Sequence, residues 1–432
     1  MIYARYSDAV AVSSNASLYI FFTTQRRPPL MLKFPASEVY LFSCTSRICV
    51  SWAMNHDDAF EPLVVFSRTR LLCVFNVEKR QLTSQIRGHG GEITSIAVHP
   101  KIPHIICTTS RDYSARIYDL SVDADSQFNQ DATFTPAVKD LCHPFLVDEG
   151  VGKGRCVFVL MAGQAGGHKA SILSAAFHPN LPLIATCGVD RAVKIWPIHR
   201  GPETKLLPVP TPLFSTSIIH TARVTFINWL DVDLLISYGA PAIMRVKNQE
   251  PHGDETFFQP GEIKIWRWLG LRRFFPLNQQ MPRAHVFRGV ASDYQDSLSF
   301  DIVSSNRLPI ETNHHPAPSI SLFQRPSHDP IIIINSMNAD KISLHNVALM
   351  HPRPCPTSWE NEINASLDTR AESPAIEIQP PNIRGWALQL PPEPTEVRIK
   401  EKILDSAMGW GGYMVVAAGT EGTLWVWLKN KI

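Results

Sequence analysis

Apolar residues come in short runs along most of the chain. Most runs are about five or six residues long, and turn residues such as Gly, Pro, Asn, Asp or Ser lie at or near most of their ends. Inside the runs apolar and polar positions tend to alternate. Period-two patterning closed by turn residues predicts antiparallel strands rather than helices. Two groups are clearest, at 93–98, 105–109 and 115–118, and again at 172–177, 183–186 and 192–196. All are far below the length that crosses a bilayer as a helix. Positions 9–22 have the hydrophobicity of a leader peptide. Ser13, Ser14, Asn15 and Ser17 interrupt them, which predicts strand, turn and strand.

The two clear groups repeat one sentence. Gly88-His89 precedes Ile-Thr-Ser-Ile-Ala-Val-His-Pro, followed by Thr-Thr-Ser-Arg-Asp-Tyr-Ser-Ala-Arg-Ile-Tyr118. Gly167-His168 precedes Ile-Leu-Ser-Ala-Ala-Phe-His-Pro, followed by Thr-Cys-Gly-Val-Asp-Arg-Ala-Val-Lys-Ile-Trp196. This resembles the WD repeat, one blade of a β-propeller. The resemblance implies that Asp112 and Asp190 accept hydrogen bonds from His89 and His168. Each imidazole then bonds onward to a strand hydroxyl and a third-strand ring, Tyr118 or Trp196. All six side chains are expected to be structural, because such a network is worth burying only when every member is satisfied.

Degraded copies flank this pair. Positions 48–52, 63–67 and 71–77 suit one blade. Positions 220–229, 234–237 and 261–268 suit another, with about twenty extra residues between its second and third strands. Positions 331–335 and 341–347 fit the middle of a sixth, and 399–404, 413–419 and 423–428 close the chain. Positions 9–13 and 18–22 read as an incomplete first blade. The expected fold is all-β, a single seven-bladed propeller over 1–432, with six or eight blades as alternatives. The clearest blades span 88–120 plus 155–161, and 167–217. Long loops are expected at 121–154, 241–260, 304–330 and 349–394. Proline concentrates in 202–212, 307–330 and 350–395, which read as loops because proline lacks the amide a central strand needs. The chain ends after a third strand. The closing outer strand is expected from the N-terminus, where little sequence precedes the first blade. Either residues 1–6 serve poorly, or the chain is short at its start; a ring left open would expose strand edges, which is an aggregation hazard.

Net charge is +2 with no dense basic run, so direct nucleic-acid binding is disfavoured. The eight cysteines are scattered singly, at 44, 49, 73, 107, 142, 156, 187 and 355, without Cys-x-x-Cys spacing. They read as thiols in a reducing compartment and not as a disulfide or zinc framework. No nucleophile elbow, phosphate loop or His-Glu-x-x-His motif is present, so the chain reads as non-catalytic, without cofactor or metal. His314-His315 and Asp57-Asp58 read as solvated turns. A cullin-type substrate receptor is the rival reading, but Tyr118-Asp-Leu-Ser, Trp196-Pro-Ile-His and Trp266-Arg-Trp-Leu lack the Trp-Asp-x-Arg ending typical of such receptors.

Beyond the two repeats, Phe214-Ser-Thr-Ser-Ile-Ile-His220, then Trp229-Leu230 and Asp233-Leu-Leu-Ile-Ser, follow a more specific order. So do Ser237-Tyr-Gly-Ala-Pro-Ala-Ile-Met and Pro260-Gly-Glu-Ile-Lys-Ile-Trp-Arg-Trp. Over about 46–270 the chain resembles the embryonic ectoderm development / extra sex combs family of Polycomb repressive complex 2, in its fungal form. The resemblance implies a nuclear, non-catalytic scaffold in gene silencing. One face would hold an enhancer-of-zeste-type SET-domain methyltransferase, joined by its zinc-finger companion subunit. The other would meet a trimethyl-lysine histone H3 tail, with no membrane contact. Such a cation needs three or four surrounding rings. The family's first ring lies in the opening strand of the first blade, where Tyr3 is the one substitute here. The second position holds Ile48. The adjacent pair of the sixth-blade start aligns with Ser299-Phe300. With at most two rings, Tyr3 and Phe300, histone reading is expected to be weak or lost.

Overall fold

The computed structural model describes residues 5–14, 16–25, 27–34, 48–58, 61–123, 150–163, 166–198, 206–246, 255–275, 293, 295–308, 318–335, 341–350, 385–390 and 401–429. Among them lie seven sheets of three to five antiparallel-built strands and one separate hairpin. The regular elements among the described residues are nearly all strands. No described helix is long and apolar enough to cross a membrane.

The first sheet holds β1 (Ala9–Ser13), β2 (Ser17–Phe22) and β3 (Leu30–Lys33). The second holds β4 (Val50–Met54), β5 (Pro62–Arg68), β6 (Leu71–Asn76) and β7 (Gln81–Ile86). The third holds β8 (Ile93–Val98), β9 (Ile105–Ser110), β10 (Ala115–Asp123) and β12 (Lys153–Leu160), with β11 (Gly150–Val151) lying instead on the outer edge of β7. The fourth holds β13 (Ile172–Phe177), β14 (Leu183–Gly188), β15 (Val193–Pro197) and β17 (Phe214–Thr216), while β16 (Leu207–Val209) runs parallel to β12. In the fifth, β18 (Val224–Trp229) and β19 (Leu234–Gly239) are separated from β22 (Glu262–Trp268) and β23 (Phe300–Arg307) by the hairpin β20 (Ala242–Val246) and β21 (Glu255–Gln259). The sixth holds β24 (Ser319–Arg325), β25 (His328–Asn335), β26 (Lys341–Asn346) and β27 (Trp386–Gln389). The seventh holds β28 (Ile403–Gly409), β29 (Met414–Gly419) and β30 (Leu424–Leu428).

Alternation within each strand sends side chains to both flanking blades, so the core lies between sheets. One apolar cluster fills each successive interface. Leu18, Ile20, Val64 and Phe66 join blades one and two. Val65, Val74, Ile106 and Tyr118 join two and three. Ile117, Phe158, Ile184 and Trp196 join three and four, and Phe214, Trp229, Trp266 and Trp268 join four and five. Ile236, Ile263, Ile332 and Ile334 join five and six, and Ile333, Ile342, Val415 and Ala417 join six and seven. Val10, Met414 and Val416, with Val12 and Trp410, close seven onto one. Seven interfaces for seven blades make a closed ring.

Strand direction defines two faces. Connections from second to third strand, and from one blade to the next, open on what we term the upper face. Connections from first to second and third to fourth strand open on the lower face. The first sheet fits this frame only if its strands occupy the second, third and fourth positions. Arg5, just before β1, pairs at 2.7 Å with Glu78, in the lower turn after β6. Phe34, just after β3, stacks on Phe66 and under Arg68, at the upper end of β5. The Thr23 hydroxyl, after β2, lies 3.2 Å from Met414 Sδ, at the lower start of β29. Among the described residues the first blade is therefore without its innermost strand, and the seventh is without its outermost. Among the described residues, blades seven and one meet by side-chain packing.

Five expectations need correction. The opening strand of the last blade is Ile403–Gly409, not 399–404. Its ladder skips a residue between Ile403 and Asp405, as Ile93/Ser95, Ile172/Ser174 and Val224/Phe226 do in other blades, and this repeated bulge sets the register. The loop expected at 241–260 carries β20 and β21. The loop expected at 304–330 carries the end of β23, all of β24 and the start of β25. Pro330 is tolerated there because it falls at the register shift after Phe323, where the ladder asks no amide of it. The loop expected at 121–154 loses its ends to β10, β11 and β12, and that at 349–394 contains β27; residues 124–149 and 351–384 lie outside the described residues.

Candidate interaction faces

Under the upper face, the third and fourth blades carry matching networks. His89 Nδ1 is 2.9 Å from Asp112 Oδ2, and its Nε2 is 2.7 Å from the Thr108 hydroxyl. His168 Nδ1 lies 3.0 Å from Asp190 Oδ2, and its Nε2 is 2.8 Å from the Thr186 hydroxyl, which also accepts from Trp196 Nε1 at 2.8 Å. Tyr118 takes the place of Trp196 in the third blade and bonds Thr108. Burial works to raise both aspartates. The histidine bond, with backbone amides and the Ser114 hydroxyl at Asp112, outweighs it and holds each carboxyl below the usual range. Burial pushes both imidazoles down, so they are neutral and carry the Nδ1 proton toward the carboxylate.

A third network escapes the motif. His220 precedes Val224 by four positions, as His168 precedes Ile172. Its Nε2 is 2.7 Å from the Ser237 hydroxyl, which accepts from Trp266 Nε1 at 3.0 Å. Pro241 stands where the other blades have aspartate, four residues after the hydroxyl, and β20–β21 separates Ser237 from Trp266. Burial, reinforced by Lys264, lowers the His220 pKa to about 3.

The lower face uses the other repeated histidine. His178 Nδ1 accepts from the amides of Asn180 and Leu181 at 2.9 and 2.8 Å, while Nε2 donates to the Val232 carbonyl of the next blade at 2.8 Å. Its ring meets Trp229 edge-on. Burial lowers its pKa to about 4. His99 closes the same turn one blade earlier, accepting from Lys101 and Ile102. The repeated His-Pro signalled a turn; its bond to the neighbouring blade is not encoded locally.

What remains accessible is polar, basic and apolar surface. On the upper face of blades three to five, Tyr113, Val189, Ile218, Ile243 and Phe257 are exposed. Arg70, Arg111, Lys169, Arg191, Arg223 and Arg245 are exposed on the same face. Ile243 and Phe257 stand on the β20–β21 hairpin, which makes ladder bonds to no other described strand. No group of three metal-ligating side chains occurs among the described residues. Asp57 pairs with Lys153 at 2.7 Å on the lower rim.

The expected network residues His89, Asp112, Tyr118, His168, Asp190 and Trp196 are thus found in two blades. Of the two expected cage residues, only Phe300 lies among the described residues. Phe300 opens β23, the outermost strand of its blade, opposite Trp268 and against the apolar cluster of Trp266 and Phe274. Tyr3 and His314-His315 lie outside the described residues, as do Cys44, Cys142 and Cys355.

Residues 80–119 and 154–197 match the WD domain, G-beta repeat model. The chain is 28% identical over 193 residues to Polycomb group protein FIE1 of Zea mays, covering 44% of this chain and 34% of that one. It is 28% identical over 167 residues to Polycomb protein EED of Chaetomium thermophilum, covering 38% and 24%. To Polycomb protein esc of Drosophila melanogaster it is 22% identical over 197 residues, covering 41% and 39%. The aligned part spans between about a quarter and two fifths of these relatives. Among solved structures, a chain in the crystal structure of Chaetomium thermophilum Polycomb repressive complex 2 superposes with a TM-score of 0.63 at 16% identity, covering 98% of this chain and 91% of that one. A chain in an active Polycomb repressive complex 2 in the basal state gives 0.62 at 17%. The protein is a seven-bladed WD-repeat propeller that resembles the Polycomb proteins EED, FIE and esc.

Proposed function

We propose that this chain is the non-catalytic scaffold of a nuclear histone H3 lysine methyltransferase complex of the Polycomb repressive complex 2 type. The carrying observation is that the curated relatives named above are Polycomb proteins while a propeller from such a complex superposes over nearly the whole chain. The buried polar groups support a scaffold. The histidines and aspartates of the described networks bond to one another beneath the surface, so their chemistry is spent on rigidity.

Its partners in this reading are a SET-domain methyltransferase and its zinc-finger companion. Histone trimethyl-lysine reading is weak or lost. The placement of Phe300 supports that: it packs in the outermost strand of its blade, against the cluster of Trp266 and Phe274. The test is reconstitution of the three chains and assay of H3 methylation with and without this one, followed by calorimetry with a trimethylated H3 peptide. Assembly and activity that depend on this chain, without methyl-dependent peptide binding, are expected. Full activity without the chain would overturn the scaffold role, and micromolar, methyl-dependent binding would overturn the loss of reading.

A further inference from the structure

Charge is unevenly shared between the two faces of the described ring. From blade two to blade five, every turn between second and third strands carries an exposed arginine on the upper face: Arg70, Arg111, Arg191 and Arg245. Each crossing between these blades adds a further exposed cation, Arg87, Lys169 or Arg223. Arg111 pairs with Glu92 at 3.1 Å. Arg70, Arg87, Lys169, Arg191 and Arg223 form no ion pair among the described residues. The described carboxylates nearby are engaged. Asp112 and Asp190 hold the two histidines, Glu262 holds Lys264 at 3.1 Å, and Asp296 takes the Ser217 hydroxyl at 2.7 Å. The lower face of the same blades differs, because there Lys79, Lys153 and Arg267 lie 2.9, 2.7 and 3.5 Å from Glu61, Asp57 and Asp233.

Apolar side chains stand among the upper-face cations. Tyr113, Val189, Ile218, Ile243 and Phe257 are 43% to 67% exposed. Tyr113 and Arg191 follow Asp112 and Asp190 in matching turns, at φ 67° and 64°. That left-handed backbone suits glycine or asparagine, yet both positions carry large side chains that are exposed and pack into no core. The hairpin β20–β21 bounds the far end. Gln259 donates to the Thr221 hydroxyl, in the crossing from blade four. Phe257 is two residues away on the same strand, so it projects from the same side of the hairpin, toward the crossing that carries Ile218 and Arg223.

Charge and apolar surface together define an occupant. We propose that the upper face of blades three to five docks an acidic polypeptide segment with apolar side chains set between its carboxylates. The carboxylates answer the unpaired charges of Lys169, Arg191 and Arg223. The apolar side chains answer Val189, Ile218, Ile243 and Phe257, which a purely anionic partner would leave uncovered. A nucleic acid fits less well. Its phosphates offer nothing to aliphatic side chains, and unstacked bases need a row of exposed rings, of which the described surface has Tyr113 and Phe257. A cationic polypeptide, such as a histone tail, is repelled here. The inference does not rest on the scaffold reading.

The test is fluorescence anisotropy with the purified full chain. The probe is a labelled synthetic peptide repeating Glu-Glu-Leu over about fifteen residues, about 50 Å when extended. It is expected to bind, and to bind more weakly as salt rises from about 0.05 to about 0.3 M, because exposed charges are screened. Peptides repeating Gln-Gln-Leu or Glu-Glu-Ser should each bind at least about tenfold more weakly, since each removes one half of the complementarity. The combined variant Lys169→Glu, Arg191→Glu and Arg223→Glu should lose a similar factor for the Glu-Glu-Leu peptide, while Arg80→Glu on the lower face should not. If the triple variant does not fold, the peptide series on the parent chain still decides. No binding of the Glu-Glu-Leu peptide, equal binding of the Glu-Glu-Ser peptide, or an unchanged affinity in the folded triple variant would overturn the proposal. Tighter binding of a uridine-only RNA of equal charge would overturn it in favour of a nucleic acid.

Discussion

Trp196 Nε1 donates to the Thr186 hydroxyl at 2.8 Å across ten residues of chain, with both side chains completely buried. The same hydroxyl meets His168 Nε2 at 2.8 Å. Since the imidazole is neutral and gives its Nδ1 proton to Asp190, the Thr186 proton goes to His168 and its lone pair to Trp196. One hydroxyl thus satisfies two buried rings.

Thr186→Val keeps the shape and removes both bonds, leaving an imidazole nitrogen and an indole N–H unpaired. The expected cost is about 2–4 kcal/mol. Urea unfolding of the variant against the parent measures it. A midpoint unchanged from the parent would show that the network contributes nothing to stability.

His178 sets an acid limit. Its pKa is about 4 in the folded chain, lowered from 6.5 by burial. Between these values the unfolded chain binds more protons, so stability falls as pH drops from 6.5 towards 4. The neutral form accepts from Asn180 and Leu181 through Nδ1, and that bond is lost on protonation. The slope of urea midpoint against pH across this window should flatten in His178→Asn, with the remaining slope carried by His220 and the other buried histidines. An identical slope in parent and variant would remove His178 from the account.

Thiol reactivity should follow burial. Burial pushes the Cys107 and Cys187 thiols well above the usual range, while Cys49 is partly exposed. Iodoacetamide at neutral pH should label Cys49 in the native protein and reach Cys107 and Cys187 only on unfolding. Peptide mapping by mass spectrometry reads this directly.

The β20–β21 hairpin should serve contact more than stability. Phe257→Ser and Ile243→Ser alter side chains that are half to two thirds exposed. Each should shift the unfolding midpoint by less than about 0.5 kcal/mol equivalent. In the complex proposed above, each should weaken assembly, measured by calorimetry against the parent chain; unchanged affinity would remove the hairpin from the contact surface.

The sequence by itself determined the blade chemistry wherever partners are close along the chain. Asp112 follows Thr108 by four residues and Tyr118 follows by ten. With Gly88-His89 just ahead of the strand, those spacings imply both the ladder and the buried network. Alternation likewise showed some strands of each of seven blades, because each strand must feed two interfaces. The tertiary structure alone decided the relations between distant strands. It paired Ser237 with Trp266 across an inserted hairpin and placed Phe300 in an outer strand. It also gave β1 the second position in its blade, through Arg5 on Glu78 and Phe34 on Phe66. A hydrophobic pattern states which faces of a strand are covered. It does not state which neighbour covers them, since apolar contact is non-directional and any strand of the right period could supply it.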